Sequence, residues 1–221
     1  MSRTITAIRA QQRRRDRVSV YLDGEYAFGL QNVVAAGLRI GQALSADEIA
    51  ALKRHDESER AYEATLRYLT YRPRSRSEVQ GYLARRQVAA EQASAILERL
   101  ERLGLLDDAA FAQMWVENRD RLRPRSRWAL RHELRAKGVG EADIDRAVSA
   151  VDESEGAMQV ALRYGRRYAR HEEAIFRRRL LALLQRRGYR YGVAAPAVAA
   201  AWEQYGAAGD ATEEHTPVDT G

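Results

Sequence analysis

The chain has 221 residues, 45% of them hydrophobic, with 37 basic against 31 acidic residues and a formal net charge of +6. This composition supports a folded core and argues against global disorder. The absence of cysteine excludes disulfides, thiolate zinc sites and a thiol nucleophile. No stretch approaches the roughly 18 apolar residues of a membrane helix, and no apolar signal core precedes Arg13-Arg14-Arg15, so a cytoplasmic protein is expected.

The first thirty residues read as β. Residues 4–8 and 18–22 alternate apolar and polar, Asp23-Gly24 is a two-residue hairpin turn, and residues 25–28 form the returning strand. Residues 30–38 predict a short helix stopped near Gly41. Ser45 and Glu48 stand at capping-box spacing and open a helix carrying Ile49 and Leu52. From about Ser58 to Tyr205 the apolar residues recur three and four apart, which predicts helix throughout. Beyond Gly206 the small and acidic residues have nothing to bury, and disorder is expected there.

An internal repeat organises the helical part. Arg72-Pro-Arg-Ser-Arg76 recurs as Arg123-Pro-Arg-Ser-Arg127, fifty-one positions later. At that offset Val79 matches Leu130, Leu83 matches Leu134, Val88 matches Val139 and Leu97 matches Val148. A third copy follows fifty residues on, with Leu180, Leu184, Gly188 and Val198 answering Leu130, Leu134, Gly138 and Val148. A fixed period of this size signals an array. The predicted fold is therefore mainly α, with three tandem three-helix modules in an elongated array behind a small β-hairpin region. The expected segments are 1–57 for the β region with short helices, 58–108, 109–152 and 153–206 for the modules, and 207–221 for the acidic tail. Pro73 and Pro124 stop the preceding helices, and Ser75 and Ser126 cap the following ones. Gly138 and Gly188 end the second helices, whereas Gln87 in the first module predicts a less sharply specified end.

The catalytic inventory is nearly empty. There is no phosphate loop, no His-Glu-x-x-His helix and no metal-ligand spacing among His55, His132, His171 and His215, so no enzyme, cofactor or metal is expected. Tyr189 and Tyr191 read as core residues. The basic residues carry more information: thirty-five are arginines, and only Lys53 and Lys137 are lysines. The four acids of the tail leave +10 on residues 1–206, which implies an anionic partner. Arg72, Arg74 and Arg76 cluster at one helix start, and Arg123, Arg125 and Arg127 at another. Arg131 and Arg135 extend the second cluster as a stripe, and Arg177, Arg178 and Arg179 open the equivalent helix of module three. Cations at a helix N-terminus oppose the dipole, yet together with the free amides they form an anion site. Glutamates at 123, 125 and 127 are expected to leave stability unchanged or slightly raised.

Three segments taken in order carry a resemblance. They are Arg72-Pro-Arg-Ser-Arg-x-Glu-Val-x-x-Tyr-Leu83, Leu103-Gly-Leu-Leu-Asp-Asp-Ala-Ala-Phe-Ala112 and Arg123-Pro-Arg-Ser-Arg-x-x-Leu-x-x-Glu-Leu-x-x-Lys-Gly138. Together they resemble the RecX family of bacterial regulators of the RecA recombinase, over roughly residues 59–206. The resemblance implies a non-enzymatic, monomeric protein lying in the groove of the RecA–single-stranded DNA filament. There it would restrain ATP turnover, strand exchange and coprotease activity, with weak, non-specific binding to single-stranded DNA. The alternative is a helix-turn-helix or sequence-indifferent DNA-binding protein acting without RecA. Gln87 stands where the family pattern has glycine, and module three lacks the pentapeptide.

Overall fold

The computed structural model describes residues 2–206; the expected disordered tail lies outside the described residues. The chain divides into two compact units. Unit one runs to Leu106 except for Ser75–Ser77, which belong to unit two with the residues from Asp107 onward. The mainly helical class and the leading β region are both present.

Unit one begins with the expected β region, which forms a four-stranded antiparallel sheet. Strands β1 (Arg3–Gln11), β2 (Arg14–Leu22), β3 (Glu25–Gln31) and β4 (Ala43–Leu44) are ordered β3-β2-β1-β4. The Asp23-Gly24 turn has φ of 55° and 90°, the pair of positive values that matches the twist of a two-residue hairpin. Asp23 also accepts from the Thr4 amide at 2.9 Å and pairs with Arg3 at 2.8 Å, tying β1 to the turn. β2 starts at Arg14, inside the cationic run, because Gln11 and Arg14 face each other across the β1–β2 turn. The helix expected over 30–38 is reduced to α1 (Asn32–Ala35). Leu30 is instead fully buried in β3 opposite Val18, since its apolar side chain completes the inner face of the sheet.

Helix α2 (Ala46–Thr70) is continuous for 25 residues, so the expected boundary at 57/58 falls within it. Its capping box is formed: Ser45 Oγ accepts from the Glu48 amide at 3.2 Å, and Glu48 accepts from the Ser45 amide at 2.7 Å. Two cores meet along this helix. Ile49 and Leu52 pack against Ile5, Val20, Leu22, Phe28 and Leu30 of the sheet. Further on, Tyr62 packs with Val79 and Leu83 of α3 (Arg76–Arg85) and with Ile96, Leu97 and Leu100 of α4 (Ala90–Arg102). Between the cores Asp56, only 5% exposed, accepts from Arg17 Nη2 at 2.9 Å and from the Gln31 amide at 2.6 Å. This buried pair fastens β2 and β3 to α2.

Unit two holds the second and third modules. The second comprises α5 (Asp108–Leu122), α6 (Arg127–Ala136) and α7 (Glu141–Ser149). The third comprises α8 (Glu153–Tyr168), α9 (Glu173–Arg186) and α10 (Tyr191–Tyr205). The repeat offsets hold in the packing, because Leu130, Leu134 and Val148 occupy one core and Leu180, Leu184 and Val198 the other. Helix α9 starts four residues before Arg177, so Arg177–Arg179 lie in its second turn rather than opening it. Glu172 and Glu173 suit a helix N-terminus better than cations do. Tyr189 is buried as expected, whereas Tyr191 is 66% exposed and takes no part in the core.

The second helices of all three modules end in the same way. Gln87, Gly138 and Gly188 have φ of 59°, 74° and 90°. In each case the next amide reaches back five residues, from Val88 to Leu83, Val139 to Leu134 and Tyr189 to Leu184, at 3.1–3.2 Å. Gln87 therefore specifies its helix end as sharply as glycine does, against expectation. Crowding distinguishes the glycines. A Cβ on Gly138 would run into the Ser77 side chain, and one on Gly188 would collide with Ser126 Oγ and approach Ala129 Cβ to 2.9 Å.

Candidate functional site

The structure spreads the eleven candidate arginines over the three modules and gives most of them partners within the chain. Arg72 holds Glu78 through two bonds of 2.8 and 3.1 Å, and that carboxylate raises the guanidinium pKa above its ordinary value. Arg74 lies 4.1 Å from the centre of the Tyr68 ring, which stacks on Tyr82 at 4.1 Å, and Arg86 lies 5.2 Å from the Tyr82 ring on its own side. The central arginine of the pentapeptide thus joins a cation–aromatic stack, with Arg74 Nε buried and unbonded among the described residues.

In module two Glu133 is the common acceptor. It takes Arg125 Nε at 2.9 Å, Arg119 Nε at 2.8 Å and the Trp115 indole N–H at 2.8 Å. Arg127 directs Nε and Nη2 at the Val151 carbonyl, 2.9 and 2.6 Å away. Arg131 pairs with Asp145, and Arg135 pairs with Glu141. The Arg135 guanidinium holds the Glu141 carboxyl below its usual range. Arg131 and Arg135 of the predicted stripe therefore face acids of α7, and Arg127 faces a carbonyl just beyond it, so the stripe binds two helices of one module together. In module three Arg177 pairs with Glu173 at 2.5 Å, and Arg179 contacts His171 at 2.9 Å. Arg123 and Arg178 are exposed and carry no ion pair or side-chain hydrogen bond among the described residues.

The helix N-termini expected to hold an external anion are already supplied with carboxylates. The Arg76 amide, opening α3, donates to Asp108 at 2.7 Å, and the Arg127 amide, opening α6, donates to Glu153 at 2.9 Å. Asp108 and Glu153 are the first residues of α5 and α8, so within unit two the third module contributes an acid to the helix start of the second. The serines are equally structural. Ser126 is 1% exposed and accepts from the Ala129 amide at 3.1 Å, while its own amide donates to Arg187 O at 3.1 Å. Ser75, fully buried, donates to Lys137 O at 2.5 Å. The triple change to glutamate at 123, 125 and 127 is thus expected to destabilise, contrary to the dipole argument. It would set like charges against Glu133 at 125 and against Glu153 at 127.

No cluster of three metal-ligating side chains occurs among the described residues, and no helix among them is long and apolar enough to cross a membrane. Sequence spacing did not single out Trp128, which is 65% exposed on α6 and stacked on His132 with ring centres 6.0 Å apart. Burial of the Tyr189 phenol pushes its pKa up, and its hydroxyl has no hydrogen-bond partner among the described residues.

A small sheet followed by three-helix modules defines a helical-repeat protein. Residues 3–45 match the regulatory protein RecX N-terminal domain, residues 61–100 the first RecX three-helix domain and residues 107–148 the second. Regulatory protein RecX of Streptomyces lividans is 41% identical over 154 residues, covering 68% of this chain and 82% of that one. RecX of Lactobacillus delbrueckii subsp. bulgaricus is 34% identical over 155 residues, and this chain spans 57% of its length. A crystal structure of regulatory protein RecX matches with a TM-score of 0.73 at 32% identity, covering 86% of this chain and 96% of that one. The chain belongs to the RecX family of regulatory proteins.

Proposed function

We propose that this protein binds the RecA filament formed on single-stranded DNA and mainly inhibits its ATPase, strand-exchange and coprotease activities. The observation that carries this reading is the succession of the RecX N-terminal, first and second three-helix domains along one chain. The charge distribution supports it, since a basic, repeated chain can make several weak contacts that add through effective concentration. Arg123 and Arg178, free of internal partners and placed in different modules, are the candidate contacts that cost the fold least to change. The paired arginines remain part of the proposed surface only through their exposed edges.

The test is a titration of RecA ATPase activity on single-stranded DNA with the wild type and with Arg123→Glu/Arg178→Glu, beside a melting curve for each. Inhibition by the wild type and weaker inhibition by a fully folded variant are expected. A wild type without effect on RecA refutes the function, and full inhibition by the variant removes these two arginines from the interface. Affinity for single-stranded DNA that is indifferent to RecA and ATP supports a DNA-binding protein acting alone instead.

A further inference from the structure

Beside Pro124 of the second pentapeptide, unit two gathers three arginines that no sequence spacing announces. Arg121 near the end of α5, Arg163 in α8 and Arg187 at the C-cap of α9 line one cavity of about 40 Å³ with Pro124, Gln159 and Tyr164. Arg187 Nη2 donates to Tyr164 Oη at 3.0 Å, and its guanidinium carbon lies 4.9 Å from the centre of that ring. Its Nη1 reaches the Pro124 carbonyl at 3.4 Å, and Arg163 Nη1 donates to Leu122 O at 3.2 Å. Arg121 makes no side-chain hydrogen bond, and none of the three forms an ion pair among the described residues.

Carbonyls at helix ends account for part of this arrangement. The C-termini of α5 and α9 contribute roughly half a negative charge each. Against three guanidinium charges that leaves about two positive charges not offset by these helix ends. Donors are also left over, because each guanidinium has five N–H groups and only some are engaged. Tyr164 Oη accepts from Arg187, so its own hydrogen is free to donate. The cavity has room for about three water-sized groups. That accommodates the two non-bridging oxygens of a backbone phosphate or the inward-facing oxygens of the free ion.

We propose that this cavity binds a single phosphate group, with Arg121 and Arg163 as its outer clamp and Arg187 with Tyr164 as its inner wall. Planar guanidinium forks match phosphate oxygens two at a time. The phosphate is either one unit of a nucleic-acid backbone or the free ion. The site requires nothing from RecA, so its test is made with the full chain alone.

Arg121→Gln/Arg163→Gln removes two charges at exposed positions and leaves Arg187 in place. In chloride the variant should melt close to the wild-type temperature, because relief of like-charge repulsion offsets the lost Arg163–Leu122 hydrogen bond. Inorganic phosphate at matched ionic strength should raise the wild-type melting temperature and leave the variant unmoved. Fluorescence anisotropy with an oligothymidylate then identifies the source. Weaker binding by the variant, with a salt slope shallower by about 0.7 for the phosphate lost, assigns a backbone phosphate. Unchanged oligonucleotide binding with loss of the phosphate shift assigns the free ion. An equal phosphate shift in both proteins, or none in either, together with unchanged oligonucleotide binding, overturns the proposal.

Discussion

Gly188 provides a quantitative test of how the second and third modules meet. Its φ of +90° imposes a left-handed cost of about 1–2 kcal/mol on alanine. The new Cβ would also collide with Ser126 Oγ, stand 2.9 Å from Ala129 Cβ and 3.3 Å from Trp128 Cε3. Overpacking of that kind costs about 1–3 kcal/mol more. Gly188→Ala should therefore lose about 2–5 kcal/mol, with Tm falling roughly 2–4 °C for each kcal/mol. Asparagine separates the two contributions, because it tolerates the left-handed backbone but still carries a Cβ. The assay is urea unfolding followed by tryptophan fluorescence, which reports on unit two because Trp115, Trp128 and Trp202 all lie there. Gly188→Asn should lose the steric part alone, about 1–3 kcal/mol. A Gly188→Asn variant as stable as the wild type would refute the argument that Ser126 and Ala129 exclude a side chain here.

Two further predictions concern unit one. Asp56→Ala leaves Arg17 buried and unpaired, so a loss of about 3–5 kcal/mol is expected in a denaturant titration followed by circular dichroism. A loss under 1 kcal/mol would show that water reaches Arg17. The Ser45 amide, and secondarily its hydroxyl, hold Glu48 below its ordinary pKa. A lowered carboxylate contributes stability that is complete above its unfolded range and is lost as pH falls through the folded value. Acid titration of stability should therefore be shallower for Glu48→Gln than for the wild type, and identical curves would contradict the capping box.

What the sequence determined follows from interactions that are local or strictly periodic. The three-helix repeat was legible because Leu130 and Leu134 recur as Leu180 and Leu184, and each pair must face its own core. The Asp23-Gly24 turn, the Ser45–Glu48 box and the Ser126 cap were legible because each involves groups at most three residues apart. The RecX resemblance rested on the same periodic segments. The tertiary structure decided how the arginines are used. Charge spacing along a helix places Arg127, Arg131 and Arg135 in a stripe, but whether they face solvent or acid depends on α7 beside them. Asp108 and Glu153 fill helix starts 32 and 26 residues away, and Asp56 meets Arg17 across 39 residues. Gln87 keeps the left-handed helix end that glycine supplies in the later modules. Backbone hydrogen bonds set that conformation, while the need for glycine arises only where a serine from elsewhere in the chain fills the space of its Cβ.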